Sequence, residues 1–434
     1  MTKNYQTRTA AAATAVEAVM PDTVSVMLAE LVGSLREGLL ALAVGTGFQV
    51  MDAIIDESVI VLAGPKGRHD PNRTAVRHGT EDGSVVLGGR RVPVRRPRVR
   101  TADGSAEVAV PAYELFSSTD VLSAMVLEKM MAKLSTRRYA AGLEPVGAQV
   151  EATARSTSKS AISRRFVAAT ETALADLLAA DLAGLDLVAL MIDGVHFAEH
   201  LCVVALGIGI DGTKHPLGLV EGDTENTTVV RDLLADLRDR GLDTTCPILC
   251  VLDGAKALSA AVKAVFDHPI IQRCQLHKIR NVESKLPDGL ASTVAKKMRA
   301  AYHNPDALAA EATLEDLARQ LAKSHPGAAG SLREGLSETL TVTRLGVPPT
   351  LARTLRSTNA VESMIEICRD HSTNVKRWRD GQMALRWCAT GMLEATKQFR
   401  RVNGFLHLPA LRDALNHHVA TTVTPSREDE HLAA

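Results

Sequence analysis

Between Leu187 and Gln272 the chain repeats one pattern: a short, unbroken apolar run, then a turn or an amphipathic stretch. The runs are Leu187–Ile192, Leu201–Ile210, Pro216–Val220, Pro247–Leu252 and Pro269–Gln272. Apolar residues at helical spacing fill the gaps from about Thr227 to Arg240 and from Ala255 to Phe266, and a further helix is expected from His277. Runs this short and this apolar, alternating with helical stretches, predict the strands of an αβ pattern. The Asp211–Gly212 pair, followed at once by Lys214 and Pro216, predicts a hairpin.

Three meandering strands, a crossover helix, a fourth strand, then a further helix and strand form the order of a ribonuclease H-like sheet, so the fold class expected is α/β. In that order the first and fourth strands lie side by side and parallel, and residues at their carboxyl ends face one crevice. Asp193 ends the first run and Asp253 ends the fourth. Asp-Gly is also an ordinary turn pair, and the chain has others at Asp82, Asp103, Asp211, Asp288 and Asp380. Asp253 differs from these controls because it precedes a helix, and Asp193 because it runs on into Val195–Phe197 without turn composition. Two carboxylates in one crevice are the start of a site for hard divalent cations, which take oxygen ligands. A third acid is expected at Glu362, in Ser357–Ser363. Its competing reading is a capping box with Asn359 as N-cap, and Glu366 on the same helical face is a rival for the role.

Charge is segregated along the chain. Lys66–Arg100 carries ten basic residues against three acidic, Asp181–Asp243 four against twelve, and Lys376–Arg401 seven against two, within a whole of formal net charge zero. Basic flanks around an acidic middle fit a protein that holds polyanions outside and cations at its centre. The Gly-, Arg- and Pro-rich segment 67–111 reads as small strands with an arginine-rich edge, either a phosphate grip or a solvated hairpin. Before it, Val24–Gly64 predicts two short amphipathic helices. Leu134–Tyr139 and Ser156–Phe166 read as a helix-turn-helix, the second helix capped near Ser158 and presenting Lys159, Ser160, Ser163 and Arg164 to DNA. Near the other end, Arg377, Trp378 and Arg379 could hold phosphates and stack on a base, whereas Trp387 is expected in the core.

Taken together, Met191–Gly194, Val251–Lys256, Cys274–His277 followed by Lys278–Asn281, and Ser357–Glu362 resemble the bacterial insertion-sequence transposases related to the plant Mutator element. The resemblance runs over most of the length. It implies a catalytic triad of acids at Asp193, Asp253 and Glu362, favours Glu362 over Glu366, and implies a largely helical insertion, a description that Leu286–Leu355 fits with helical patterns such as Ala307–Ala322. The activity implied is binding of terminal inverted repeats with Mg²⁺-dependent cleavage and strand transfer, Mn²⁺ substituting, on double-stranded DNA and as a homo-oligomer, at least a dimer. The segment Ile365–Asp370 is less basic than in comparable members. Other readings are a transposase-derived DNA-binding regulator without cleavage, and a ribonuclease H-like nuclease that only hydrolyses.

The organisation expected is a helical and arginine-rich β region at 1–111, a helix-turn-helix-like region at 112–180, the first part of the core at 181–284, the helical insertion at 285–355, and core completion with a basic tail at 356–434. Cys274 and His277 have ligand spacing but lack a second close pair, so they read as a structural or DNA-contact motif rather than a zinc site. Six cysteines in 434 residues make no disulfide framework, and neither a cleavable leader nor a membrane span is expected. These features place the chain in the cytoplasm, associated with the nucleoid when bound to DNA.

Overall fold

The computed structural model describes residues 39, 46–68, 70–143, 152–155, 157–222 and 226–423. The chain divides into two compact units, Met1–Val167 and Ala168–Ala434.

In the first unit a helix, α1 (46–63), is followed by the strands β1 (Ala75–Leu87), β2 (Arg90–Thr101) and β3 (Glu107–Val108) and the helices α2 (Pro111–Ser117) and α3 (Asp120–Met131). Ile55, Val59 and Ala63 lie one turn apart on α1 and bury against Val85 and Val99 of the hairpin and Tyr113 of α2. The first helix expected within Val24–Gly64 falls mostly outside the described residues. Gly88 and Gly89, both at positive φ, make the two-residue turn that sets the β1–β2 register at Leu87↔Arg90. The arginine edge is present, but much of it is paired: Arg95 with Asp82, Arg96 with Glu81, and Arg98 with Glu107 at 3.0 Å. One expectation fails. Leu134–Tyr139 forms turns rather than a helix, and Tyr139 is fully buried. The helix before it is α3, which stops at Met131 ahead of Lys133 at positive φ.

The second unit is built on a five-stranded sheet of β4 (Leu187–Phe197), β5 (His200–Gly209), β6 (Lys214–Gly222), β7 (Ile248–Leu252) and β8 (Pro269–Arg273), in the order β6-β5-β4-β7-β8. β4, β5 and β6 pair antiparallel, and β4, β7 and β8 pair parallel, so the first and fourth strands of the sheet are parallel neighbours as the run order predicts. The Asp211–Gly212 pair is the expected hairpin turn, with Gly212 at φ +86°.

Residues alternate between two covered faces. Leu190 and Ile192 pack against α5 (Thr227–Asp239) and α6 (Lys256–Val265), while Ala189, Met191 and Val195 pack against α13 (Asn359–His371), α14 (Gly381–Thr396) and α15 (Leu408–Val423). Burial on both sides explains why Leu187–Ile192 is unbroken by polar residues. α4 (Lys159–Ala179) leads into this unit and adds Leu174 and Leu177 to the second face.

After β8 come α7 (Gln275–Glu283), α8 (Asp288–Tyr302), α9 (Ala307–Ala322), α10 (Pro326–Arg333), α11 (Thr341–Arg344) and α12 (Pro349–Leu355). Leu286–Leu355 is thus helical with short connections, and α9 has the bounds its periodicity predicts. The segment has its own core, in which Val294, Met298, Leu314, Leu317 and Leu332 are buried together. Among the described residues no helix is long and apolar enough to cross a membrane.

Candidate active site

Asp193 does not end its strand, contrary to expectation: β4 continues to Phe197 because Gly194–Phe197 go on pairing with β5. The parallel pairing with β7 does end there, its last row being Ile192↔Leu252. Asp193 and Asp253 are therefore the next residues on two adjacent strands, which puts both at the place where the sheet opens. Asp193 Oδ1 accepts the Gly194 amide at 2.9 Å, and Asp253 Oδ1 accepts the Ala255 amide at 2.7 Å. Gly254 between them and α6 sits at φ +108°, and a Cβ there would lie 2.3 Å from the Arg273 guanidinium. No other residue type fits this turn without displacing Arg273.

Glu362 lies in the first turn of α13, which packs on the same face of the sheet. The expected capping box is absent. Thr358 rather than Asn359 is the N-cap, and its hydroxyl donates to Glu362 Oε1 at 2.8 Å instead of reaching a helix amide. His277 of α7 approaches Glu362 from the other side, Nε2 to Oε1 at 3.7 Å, and its Nδ1 is 3.4 Å from the Thr358 hydroxyl. Glu366, one turn further, is exposed to solvent.

Burial lifts the Asp193 carboxyl to about 6, the Gly194 hydrogen bond and His277 working against the shift and the charges of Asp253 and Glu362 adding to it. Asp193 thus feels the charges of both other acids, and that of His277 more strongly than either. His277 is raised to about 9 by its hydrogen bond with Cys274, against burial, and further by the charges of Cys274, Glu362 and Asp193. Burial pushes the Cys274 thiol up, and hydrogen bonds with His277 and Thr358 more than offset this, leaving it below its ordinary value. Cys274 is fully buried; its Sγ accepts the Thr358 amide at 3.5 Å and lies 3.4 Å from the Thr358 hydroxyl oxygen.

The CxxH pair thus gains a neighbour that its spacing does not reveal: donor atoms of Cys274, His277 and Glu362 lie within 4.8 Å of one another. Clustered carboxylate oxygens are what a hard divalent cation takes up, and Asp193 and Asp253, at the ends of the same pairing, are placed to offer two of them. Two further residues join the surroundings without a signal in the sequence pattern. Thr358 orients Glu362, and Arg273, nearly fully buried, donates to the Gly254 carbonyl and to the Glu334 carbonyl.

The remaining expected site residues lie elsewhere. Lys159, Ser160, Ser163 and Arg164 are solvent-exposed on the first turns of α4, with the Ser158 hydroxyl accepting the Ala161 amide at 3.3 Å as the expected cap. Arg377 and Arg379 are exposed in the segment before α14. Trp378 between them is packed, its ring centroid 4.8 Å from that of Phe197 and 6.3 Å from that of Trp387. Trp387 is in the core, as expected.

A family model described as "Transposase, Mutator family" matches residues 34–402. The chain is 29% identical over 195 residues to a probable transposase for an insertion sequence element from Corynebacterium diphtheriae, 45% of this chain and 56% of that protein. It is 30% identical over 197 residues to the transposase for insertion sequence element IS6120 from Mycolicibacterium smegmatis, 44% of this chain and 60% of that protein. The match to the transposase for insertion sequence element ISRM5 from Rhizobium meliloti (strain 1021) is longer, 24% identity over 367 residues, 84% of this chain and 89% of that protein. The first two matches span little more than half the length of those relatives. With most of its length matched by one family model, the chain belongs to the Mutator family of transposases.

Proposed function

We propose that this chain is a DDE-type transposase that binds the terminal inverted repeats of its own element, cleaves there and joins the freed end to target DNA. Asp193, Asp253 and Glu362 are its catalytic acids, carried on a ribonuclease H-like core. The observation that supports this reading is the placement of Asp193 and Asp253 side by side where β4 and β7 part, with the Asp193 carboxyl lifted to about 6 first by burial and in smaller part by the charges of Asp253 and Glu362.

The acids would hold Mg²⁺, for which Mn²⁺ would substitute. A pair of such ions activates an attacking oxygen and stabilises the departing one in an in-line displacement. Asp193 would supply its carboxylate from within β4, and Asp253 from the first residue after β7, held by the Ala255 amide. Glu362 is aimed by Thr358 and completes the set from a helix. His277, held protonated beside Glu362, offers a positive charge to a phosphate oxygen or a proton to a leaving oxygen. A hydrolytic cut leaves a 3′ hydroxyl, which attacks a target phosphodiester in the same site, with no covalent protein intermediate. The described tyrosines, Tyr113, Tyr139 and Tyr302, are all buried, which fits such a pathway.

The exposed face of early α4 and the arginines flanking Trp378 would contact double-stranded DNA, and pairing of two ends requires at least a dimer. Six free cysteines fit a reducing cytoplasm, with nucleoid association when DNA is bound. The test is Mg²⁺-dependent cleavage and joining of a labelled duplex carrying the DNA that flanks the gene. Joined product is expected from the wild type and none from Asp193→Asn. Binding without cutting by the wild type would favour the regulator, and cutting without joining would favour a hydrolytic nuclease.

A further inference from the structure

α7 presents one face to the acids, through His277, and a different one to a cavity of about 160 Å³. Its polar lining includes Gln275 of α7, Arg299 and Tyr302 of α8, His303, Arg353 of α12, Arg356 and Ser357 between α12 and α13, and Asn359 of α13, with no acidic residue among the lining. Other arginines of the insertion are paired, Arg333 with Glu315 and Arg344 with Glu311. Burial, and then the charge of Arg353, holds the Arg356 guanidinium below its ordinary value. Three like charges around one small cavity repel one another, and an anion between them would remove that cost.

We propose that this cavity is a phosphate-binding site that holds one backbone phosphodiester of the DNA strand processed at Asp193, Asp253 and Glu362. The identity of the strand rests on the DNA-processing reading above; the phosphate chemistry does not. Guanidinium groups are planar forks that match phosphate oxygens in pairs, and three from different elements can surround one tetrahedral group. Ser357 and Asn359 flank Thr358, which bonds Glu362, so a phosphate held there keeps a fixed offset from the acid. Arg299 and Arg353 come from the helical insertion and Arg356 from the chain just after it, so the insertion acquires a role: it supplies part of the wall of the site.

The test uses the full chain and has two arms. In the first, thermal unfolding is followed in inorganic phosphate and in chloride at matched ionic strength. Phosphate should raise the melting temperature of the wild type and of Arg333→Gln. It should raise that of Arg356→Lys less, and that of Arg353→Gln and Arg356→Gln not at all. Arg353 is exposed, so its replacement tests the site even if Arg356→Gln folds poorly.

In the second arm, affinity for a fluorescein-labelled duplex carrying the flanking DNA is measured against KCl concentration. Each phosphate neutralised contributes about 0.9 to the logarithmic slope. Arg299→Gln, Arg353→Gln and Arg356→Gln should each lose up to about that much, and the triple variant no more than about 0.9, because the three share one phosphate. A loss of about 2.7 in the triple variant would overturn the single site. Equal phosphate response in wild type and both single Gln variants would overturn the site altogether. Phosphate response lost in the variants while the duplex slope stays unchanged, or no duplex binding at all, would overturn the DNA strand as owner and point to a free anion. None of these outcomes depends on cleavage, so they are separable from the Asp193→Asn result.

Discussion

Thr358 and His277 hold the same carboxylate oxygen of Glu362 by different means. The Thr358 hydroxyl donates to it at 2.8 Å and is itself fully buried against Cys274, whereas His277 stands 3.7 Å away as a charge. Groups that orient a metal-binding side chain are commonly worth a factor of roughly 10–100 in metal affinity or activity. Thr358→Val keeps the shape and removes the hydroxyl. It should raise the Mn²⁺ concentration needed for half-maximal cleavage by roughly that factor, with end binding unchanged. Unaltered Mn²⁺ dependence would mean that Glu362 needs no such support. Of this cluster, Asp193, Asp253, Glu362, Cys274 and His277 stand out in the sequence because each ends a run or sits in a recognisable motif. Thr358 lies within the Ser357–Glu362 motif, but its part in the cluster is not legible there, since its contact with Cys274 crosses 84 positions and depends on how the helices dock.

At the scale of elements, two buried cations tie the helical insertion to the sheet. Arg273 at the end of β8 and Lys278 on α7 both donate to the Glu334 carbonyl just after α10, and Lys278 also donates to Ser331 O at 2.7 Å. Arg273 reaches the Gly254 carbonyl as well, so the turn after Asp253 and the insertion share one guanidinium. Burial lowers the Lys278 ammonium from 10.5 to about 8. Below about pH 8 the group is charged in folded and unfolded chains alike, and the burial penalty is fully present. Between about 8 and 10.5 the unfolded chain binds more protons, so this group's contribution to stability rises with pH and then levels off. Urea midpoints of wild type and Lys278→Met should therefore shift in favour of the wild type across that window. A constant difference would place Lys278 in an environment that does not perturb it.

The elements themselves were legible in unequal measure. Continuous apolar runs marked the strands because both faces of the sheet are covered, and α9 followed its periodicity from end to end. The supposed helix Leu134–Tyr139 failed because its short polar and basic stretch has no apolar stripe to bury. Only Tyr139 goes into the interior.

Across the second unit, the sheet with its two covered faces places Asp193 and Asp253 where the pairing of β4 and β7 ends. The run order alone implied that Asp193 and Asp253 are neighbours, because strand adjacency follows from the crossover. It could not choose between Glu362 and Glu366, which lie on one helix a turn apart. The family resemblance favours Glu362, and packing supports that preference: Glu362 meets Thr358 and His277, and Glu366 meets solvent. The most direct measurement is therefore the Mg²⁺-dependent joining reaction run side by side with Asp193→Asn, Asp253→Asn, Glu362→Gln and Glu366→Gln, with duplex affinity recorded for each. The account predicts that the first three form no joined product while binding DNA nearly as well as the wild type, and that Glu366→Gln joins normally. Normal joining by Glu362→Gln, with loss in Glu366→Gln, would contradict it.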